Sequence, residues 1–223
     1  EKAEEAAGWG KMAHYWKETG KFRGDKSDLR LFRKAIDLAG VERDTLWPVG
    51  GVHEVSAALR IDGRRELRTS EEPLHVLLPG DEWVTGTADY VSYLFDDELW
   101  VDDLKTGKFY PDQYTGENRF PQDVESAQLR FYALSNALRR GYNGVVHVSL
   151  THWPREPAAY RNRPPERLWT TYQPQDLELF YVRLEQMYQD IQVDKRDGLR
   201  TKPGDHCRFC PSRNFCLDAK EFN

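Results

Sequence analysis

Residues 86–107 constrain the fold of this chain most, because they predict two β-strands joined by a tight acidic turn. The stretch reads G-T-A-D-Y-V-S-Y-L-F-D-D-E-L-W-V-D-D-L-K-T-G, with Asp89 in the first strand and Asp103 and Lys105 in the second. Because side chains alternate across a strand, Asp103 and Lys105 share one face. A hairpin can place Asp89 beside Asp103 on that face.

These three side chains have the chemistry of a metal-dependent hydrolytic site. Two adjacent carboxylates repel each other unless a cation lies between them, and their hard oxygens suit Mg²⁺ or Mn²⁺. A lysine two residues further on adds a positive charge that stabilises a developing anion. The pattern therefore indicates metal-assisted attack on a phosphodiester. The alternative is a solvated acidic hairpin in which Lys105 is an ordinary cross-strand ion-pair partner.

The spacing G-x-x-D followed by D-x-K-T-G resembles the PD-(D/E)XK nuclease superfamily and, within it, the RecB-like exonucleases. The resemblance implies that Asp89, Asp103 and Lys105 are catalytic, and that the two carboxylates and the Leu104 carbonyl hold one or two divalent cations. Lys105 would orient the attacking water or stabilise the transition state. The implied fold is α/β, a mixed β-sheet flanked by helices with a restriction-endonuclease-like core and a C-terminal Cys-cluster tail.

Further elements follow the order of these nucleases. The segment G-W-G-K-M-A-H-Y-W carries His14 on a predicted helix, and the resemblance makes His14 an additional metal ligand. The segment Q-L-R-F-Y-A-L places Gln128 and Tyr132 on one side of a helix, where the resemblance has them position Lys105 or a phosphate. Glu54 resembles an acidic residue that some relatives place near the metals. The alternatives are a structural histidine, an exposed Gln on an amphipathic helix and a solvated Glu.

The chain's three cysteines, Cys207, Cys210 and Cys216, follow the spacing C-x2-C-x5-C. Three thiols within ten residues are poor disulfide partners and good ligands for a soft metal, so Zn²⁺ and an iron–sulfur cluster both fit. The resemblance to AddB-type nucleases and to the iron–sulfur exonucleases of CRISPR adaptation implies a [4Fe–4S] cluster. The fourth ligand stays open between His206 and a cysteine upstream of residue 1. The alternative is three free thiols on a loop.

Composition is consistent with an intracellular enzyme. The chain has 223 residues, is 39% hydrophobic and has no apolar run of membrane-spanning length, and its clustered cysteines favour a reducing, cytoplasmic compartment. A net charge of −5 is unlike that of a passive nucleic-acid coat, although a local basic groove can still bind phosphates. The candidates for that groove are Arg139, Arg140, Arg161, Arg163, Arg167, Lys195, Arg196, Arg200, Lys202, Arg208 and Arg213.

We expect a nuclease domain over residues 1–200 and a metal-binding tail over 201–223. Hydrophobic periodicity and turn residues predict the elements within them. They are helices over 4–16 and 27–38, a β region over 49–105, a helix that is capped by Asp123, runs to Arg140 and is stopped by Gly141, a strand over 145–151, a connection over 153–174, and a helix over 175–193 with Ile191 inward.

The function expected from the resemblance is a metal-dependent deoxyribonuclease that hydrolyses phosphodiesters at DNA ends, single-stranded or processed, in recombination, repair or phage DNA metabolism. Recombination or helicase partners stay unidentified, and the chain contains no G-x-x-x-x-G-K-[ST] motif of its own. The alternatives are a structure-specific endonuclease using the same site, and a catalytically inactive DNA-binding or assembly module.

Overall fold

The computed structural model describes residues 2–22, 30, 33, 51–70, 80, 82–94, 98–107, 125–154 and 166–197. Its described elements are, in chain order, α1 (Lys2–Thr19), β1 (Val52–Arg60), β2 (Leu67–Ser70), β3 (Trp83–Leu94), β4 (Glu98–Gly107), α2 (Ala127–Arg140), β5 (Val146–Pro154), β6 (Glu166–Tyr172) and α3 (Pro174–Asp197). No helix in these ranges is both long and apolar enough to cross a membrane.

The described strands form one six-stranded sheet in the order β2-β1-β3-β4-β5-β6. The pairs β1–β2, β1–β3, β3–β4 and β5–β6 are antiparallel, whereas β4–β5 is parallel. A parallel pair needs a crossover connection, which here carries helix α2. The predicted mixed sheet flanked by helices is therefore confirmed, with the predicted hairpin as its β3–β4 centre.

Helix α2 forms between two local signals. The Ser126 hydroxyl accepts a hydrogen bond from the Leu129 N–H at the start of the helix, and Gly141 ends it in the left-handed region at φ 61. The predicted stop at Gly141 is confirmed. The predicted cap, Asp123, is wrong: it lies outside the described residues, and the helix begins later because Ser126 supplies the capping oxygen.

Two other predictions need correction. The range 153–174 was expected to be a connection, but β6 lies within it and pairs with β5. The many prolines and arginines of range 153–174 favoured the prediction of a connection, although W-T-T-Y at the end of β6 consists of residues with high strand propensity. Ile191 was expected inward but is 40% exposed, because the fully buried residues of α3 stop at Leu184 and the last side chain named as packing against the core is Tyr188.

The core lies between the sheet and the helices. Helix α2 packs over the sheet and contacts α3, and α1 contacts β4. The largest fully buried side chains are Leu59, Leu99, Leu129, Leu150, Val91, Val101, Val146, Val148, Asn136 and Thr151. Strands β4 and β5 contribute six of these residues, so the strand that carries Asp103 and Lys105 runs through the densely packed core.

Candidate metal centre

Side chains from three different elements converge beside the central hairpin. His14 of α1, Glu54 of β1 and Asp89 of β3 each offer one ligand atom, and these atoms lie within 4.8 Å of one another. His14 Nε2 is 3.7 Å from Asp89 Oδ2, and His14 Nδ1 is 3.7 Å from Glu54 Oε1. These separations are too long for hydrogen bonds but below the ~4.2 Å that two ligands of one Mg²⁺ can span. The group therefore has the composition and spacing of a divalent-cation site.

Glu54 reaches this group through an unusual backbone conformation. In the described pairing of β1 with β3, His53 lies opposite Tyr90 and Val55 opposite Ala88, and Glu54 between them is left out. Its φ is 54°, in the left-handed region that costs a non-glycine residue ~1 kcal/mol or more. Strain of this kind persists where the surrounding structure imposes it, which is common at functional sites.

Asp89 is the most perturbed acid of the group. Burial and, after it, the Asp103 charge raise the pKa of Asp89 to about 8, against the lowering effects of the Leu104 N–H and Lys105. The Leu104 N–H donates to Asp89 Oδ2 over 2.6 Å. The predicted proximity of Asp89 and Asp103 is thus present. Two buried carboxylates at close range are the environment in which a bound cation is most favourable.

The imidazole of His14 is in the form that binds metals. Burial lowers its pKa from the ordinary value, against the raising effects of Glu54, of Asp103 and of a backbone hydrogen bond to Leu104. The ring is therefore neutral near pH 7, with a nitrogen lone pair available to an ion. His14 lies on a helix, as predicted, and its role as a metal ligand stays a prediction.

Asp103 and Lys105 form an ion pair at the edge of the group. Lys105 Nζ lies 2.8 Å from Asp103 Oδ2, and the Asp103 side chain is 1% exposed whereas that of Lys105 is 45% exposed. Burial alone would lower the pKa of Lys105, but the Asp103 and Asp89 carboxylates outweigh burial and raise it. Lys105 is therefore a cation at neutral pH, so it can stabilise negative charge but cannot act as a general base.

Gln128 and Tyr132 face the same centre from α2. Gln128 Nε2 donates to Tyr132 Oη over 2.6 Å, as their predicted i, i+4 spacing requires. Burial raises the pKa of Tyr132, and the charges of Asp103 and Lys105 also act on it, so the phenol lies beside the ion pair. A Cβ on Gly86 would come within 2.7 Å of the Tyr132 ring, so a side chain at Gly86 would displace Tyr132.

A comparison with known protein families identifies the superfamily of this chain. The sequence model of the PD-(D/E)XK nuclease superfamily matches residues 4–217. The chain belongs to this superfamily. Among solved structures, this chain is similar to the protein SSO0001 (14% identity, TM-score 0.41, 84% of this chain and 70% of that one). It is also similar to a candidate exonuclease from Eubacterium rectale (12% identity, TM-score 0.46, 98% and 74%). No curated protein matches.

The sequence did not reveal a second charged cluster, which lies next to the candidate site on strand β4. Asp102 is fully buried and pairs with Arg167 of β6, while Ser149 of β5 donates to the same carboxylate. Burial raises the pKa of Asp102, although Arg167 and the two hydrogen bonds lower it, as does the more distant charge of Lys17. Arg167 was predicted as a candidate for a DNA groove. The alternative for each of these basic residues was an ion pair, and in this structure Arg167 forms one with the buried Asp102 carboxylate.

The cysteines of the nuclease, Cys207, Cys210 and Cys216, lie outside the described residues, as does His206. The cluster that they were predicted to hold, whether iron–sulfur or zinc, therefore stays a prediction. The same holds for the assignment to the RecB-like and AddB-type branch of the superfamily.

Proposed function

We propose that this nuclease is a divalent-metal-dependent deoxyribonuclease that hydrolyses phosphodiester bonds at DNA ends. The observation that carries the proposal is the convergence of His14, Glu54 and Asp89 beside the ion pair of Asp103 and Lys105. The first three supply nitrogen and oxygen ligands, and the pair supplies a further carboxylate and a fixed positive charge. Each component of metal-assisted phosphodiester hydrolysis is thus present in one place.

The chemistry of the donor set fits Mg²⁺ or Mn²⁺. His14, Asp89, Asp103 and the Leu104 carbonyl would hold the ion, with Glu54 as a further ligand. Carboxylate and carbonyl oxygens suit both ions, and one imidazole favours Mn²⁺. A bound ion of this kind lowers the pKa of a water and polarises the scissile phosphate.

The protein's own groups do the remaining work. Because Lys105 stays protonated beside Asp103, its ammonium group can hold a phosphate oxygen or the attacking water and stabilise the charge that develops. Gln128 donates to the Tyr132 oxygen and so leaves the Tyr132 hydroxyl hydrogen to donate to a phosphate oxygen or to a group that positions Lys105.

Two other functions are compatible with the same fold: a structure-specific endonuclease and a catalytically inactive DNA-binding or assembly module. Asp89, Asp103 and Lys105 are all retained, and their arrangement supports an active enzyme. The preference for DNA ends comes from the resemblance to RecB-like exonucleases, as do the roles in recombination, repair or phage DNA metabolism and the recombination or helicase partners. The cytoplasmic location stays a prediction.

One digestion experiment separates the three functions. End-labelled linear DNA and closed-circular DNA, each single- and double-stranded, are incubated with the protein and Mg²⁺ or Mn²⁺. Loss of linear DNA from its ends with intact circles supports the exonuclease, and cut circles support the endonuclease. Folded protein that cuts neither supports the inactive module. Glu98→Gln, an exposed change on the same strand, is the matched control for Asp103→Asn.

For the C-terminal residues we propose a metal-binding tail over 201–223, joined to the nuclease domain of residues 1–200. Cys207, Cys210 and Cys216 would bind a [4Fe–4S] cluster, with Zn²⁺ as the alternative, since thiolates are soft ligands. Protein purified without oxygen is expected to be brown and to contain iron and sulfide. Colourless protein with stoichiometric zinc would show that the cysteines bind zinc and not a cluster. Metal-free protein with three alkylatable thiols would contradict both assignments.

A further inference from the structure

A cleft runs along helix α1 next to the candidate metal centre. It has a volume of about 470 Å³ and is lined by Glu54, Asp89 and five residues of α1, namely Gly10, Lys11, His14, Tyr15 and Glu18. Lys11, His14, Tyr15 and Glu18 have the spacing i, i+3, i+4, i+7, which places them along one side of a helix. One stripe of α1 therefore forms a wall of the approach to the reaction centre.

The stripe carries opposite charges on the two sides of His14. Lys11 and Glu18 are both exposed. Along the helix axis, Lys11 lies ~4.5 Å from His14 towards the N-terminus, and Glu18 lies ~6 Å from His14 towards the C-terminus. In the described part of the chain, Lys11 makes no ion pair. A polyanionic strand is attracted to the Lys11 side of the centre and repelled from the Glu18 side. Gly10, beside Lys11, has no side chain to obstruct a strand on the attractive side.

Tyr15 lies between these two charges. Its ring is half-buried and lines the cleft one residue after His14, the proposed metal ligand. An aromatic ring at the wall of a phosphate-binding groove stacks on bases or packs on sugars without reading the sequence. The stripe thus combines a cation and an aromatic surface, the two components of a site for a nucleic-acid strand.

We propose that Lys11 and Tyr15 bind the DNA strand beside the reaction centre, with Lys11 on a phosphate next to the scissile one and Tyr15 on a sugar or base. The DNA backbone avoids the side of the centre on which Glu18 lies. The inference rests on the proposed function, since it assigns further substrate-binding residues to the same site. It also specifies the side of the centre on which the DNA strand lies along α1, which the metal ligands alone do not.

Binding without cleavage tests the phosphate contact directly. In the Asp103→Asn background, the affinity for a fluorescent single-stranded oligonucleotide with Mg²⁺ is measured by anisotropy over a range of salt concentrations. Lys11→Gln should lower the affinity about three- to tenfold and reduce the slope of log K against log salt by about 0.7, the value for one phosphate of a single strand. Glu18→Gln, the matched change beyond His14, should leave the slope unchanged and the affinity equal or higher.

The Tyr15 contact has its own pair of variants. Tyr15→Ala should weaken binding about tenfold, whereas Tyr15→Phe should keep the parent affinity because stacking needs the ring and not the hydroxyl. If Tyr15→Phe loses as much affinity as Tyr15→Ala, or if Tyr15→Ala keeps the parent affinity, the Tyr15 assignment is wrong. An unchanged salt slope for Lys11→Gln, or an equal loss of slope for Glu18→Gln, overturns the Lys11 assignment.

Cleavage assays separate failure of this inference from failure of the proposed function. In the otherwise unchanged protein, Lys11→Gln should raise KM with little change in kcat, because the contact is made equally in the ground state and the transition state. If the parent protein cuts DNA and Lys11→Gln leaves KM unchanged, only the inference fails. If the folded parent with metal cuts no DNA, the proposed function fails, and the anisotropy titration still decides whether Lys11 and Tyr15 bind the strand.

Discussion

The backbone N–H of Leu104 donates to the Asp89 carboxylate over 2.6 Å, immediately beyond the last regular β3–β4 pair, in which Tyr90 lies opposite Asp102. A side chain thus joins the two strands where their described backbone pairing ends. Since Leu104 stands between Asp103 and Lys105, this bond holds Asp89 in place relative to both.

Asp89 should make the metal-free protein less stable as pH rises. Its pKa is about 8 in the folded protein and ~3.9 in the unfolded chain, so the folded state binds the proton more tightly. The resulting stabilisation is complete below about pH 4 and is lost as pH rises to about 8. Urea unfolding in EDTA at several pH values should show this decline in the parent and less of it in Asp89→Asn. Added Mn²⁺ should restore stability at the upper end of this pH range. If the stability of the parent changed as little with pH as that of Asp89→Asn, the raised pKa of Asp89 would be contradicted.

Asp103→Asn and Lys105→Ala should each abolish cleavage. Asp103→Asn removes the charge of a metal ligand, and Lys105→Ala removes the cation that stabilises negative charge on the phosphate. We expect each change to lower the cleavage rate by about 10²-fold or more. Rates on end-labelled DNA at saturating metal, with circular dichroism to check folding, measure the effect. The exposed control Glu98→Gln should cut at the parent rate. A folded Lys105→Ala variant with parent activity would remove Lys105 from the mechanism.

His14→Ala should weaken Mn²⁺ binding and lower the cleavage rate most strongly at low metal concentration. The imidazole is neutral and close to both carboxylates, so its loss removes the nitrogen ligand. Calorimetric titration of Mn²⁺ into both proteins measures the difference. For the metal titration, Lys11→Gln, which changes the same helix without touching the ligand set, is the control. Equal affinities for His14→Ala and the parent would make this histidine structural.

Glu54→Gly should be more stable than Glu54→Ala by about 1 kcal/mol in the metal-free state, because φ 54° strains any residue with a Cβ. Both variants should bind Mn²⁺ more weakly than the parent, since both lose the carboxylate. Urea denaturation and calorimetry measure the two effects separately. Equal stability of the two variants would show that the backbone at this position relaxes without strain.

Arg167→Met should destabilise the protein by about 3 kcal/mol or more, because it leaves the buried Asp102 carboxylate without its cation. The double change Asp102→Asn with Arg167→Met should recover part of that loss. Urea denaturation of the parent, the two single variants and the double variant completes the cycle. If the double variant were as unstable as the sum of the single ones, the two residues would not be coupled.

The sequence predicted the hairpin and most of the centre because their signals are local. Asp103 and Lys105 are two residues apart on a strand, and Gln128 and Tyr132 are one helical turn apart, so spacing alone places each pair. The pairing of Asp102 with Arg167 joins residues 65 positions apart, and no local pattern marks it. The φ of Glu54 is likewise imposed by neighbouring strands.

The parallel pairing of β4 with β5 has a consequence for how the molecule folds. The β3–β4 hairpin closes through a short turn within microseconds, whereas β5 can dock only after the chain through α2 has been ordered, which is a slower, non-local step. Until then the carboxylate of Asp103 stays hydrated, and β4 presents a free edge that can template aggregation. A nascent chain that stalls before β5 therefore leaves this edge of β4 unpaired, so early termination within the crossover is expected to favour aggregation.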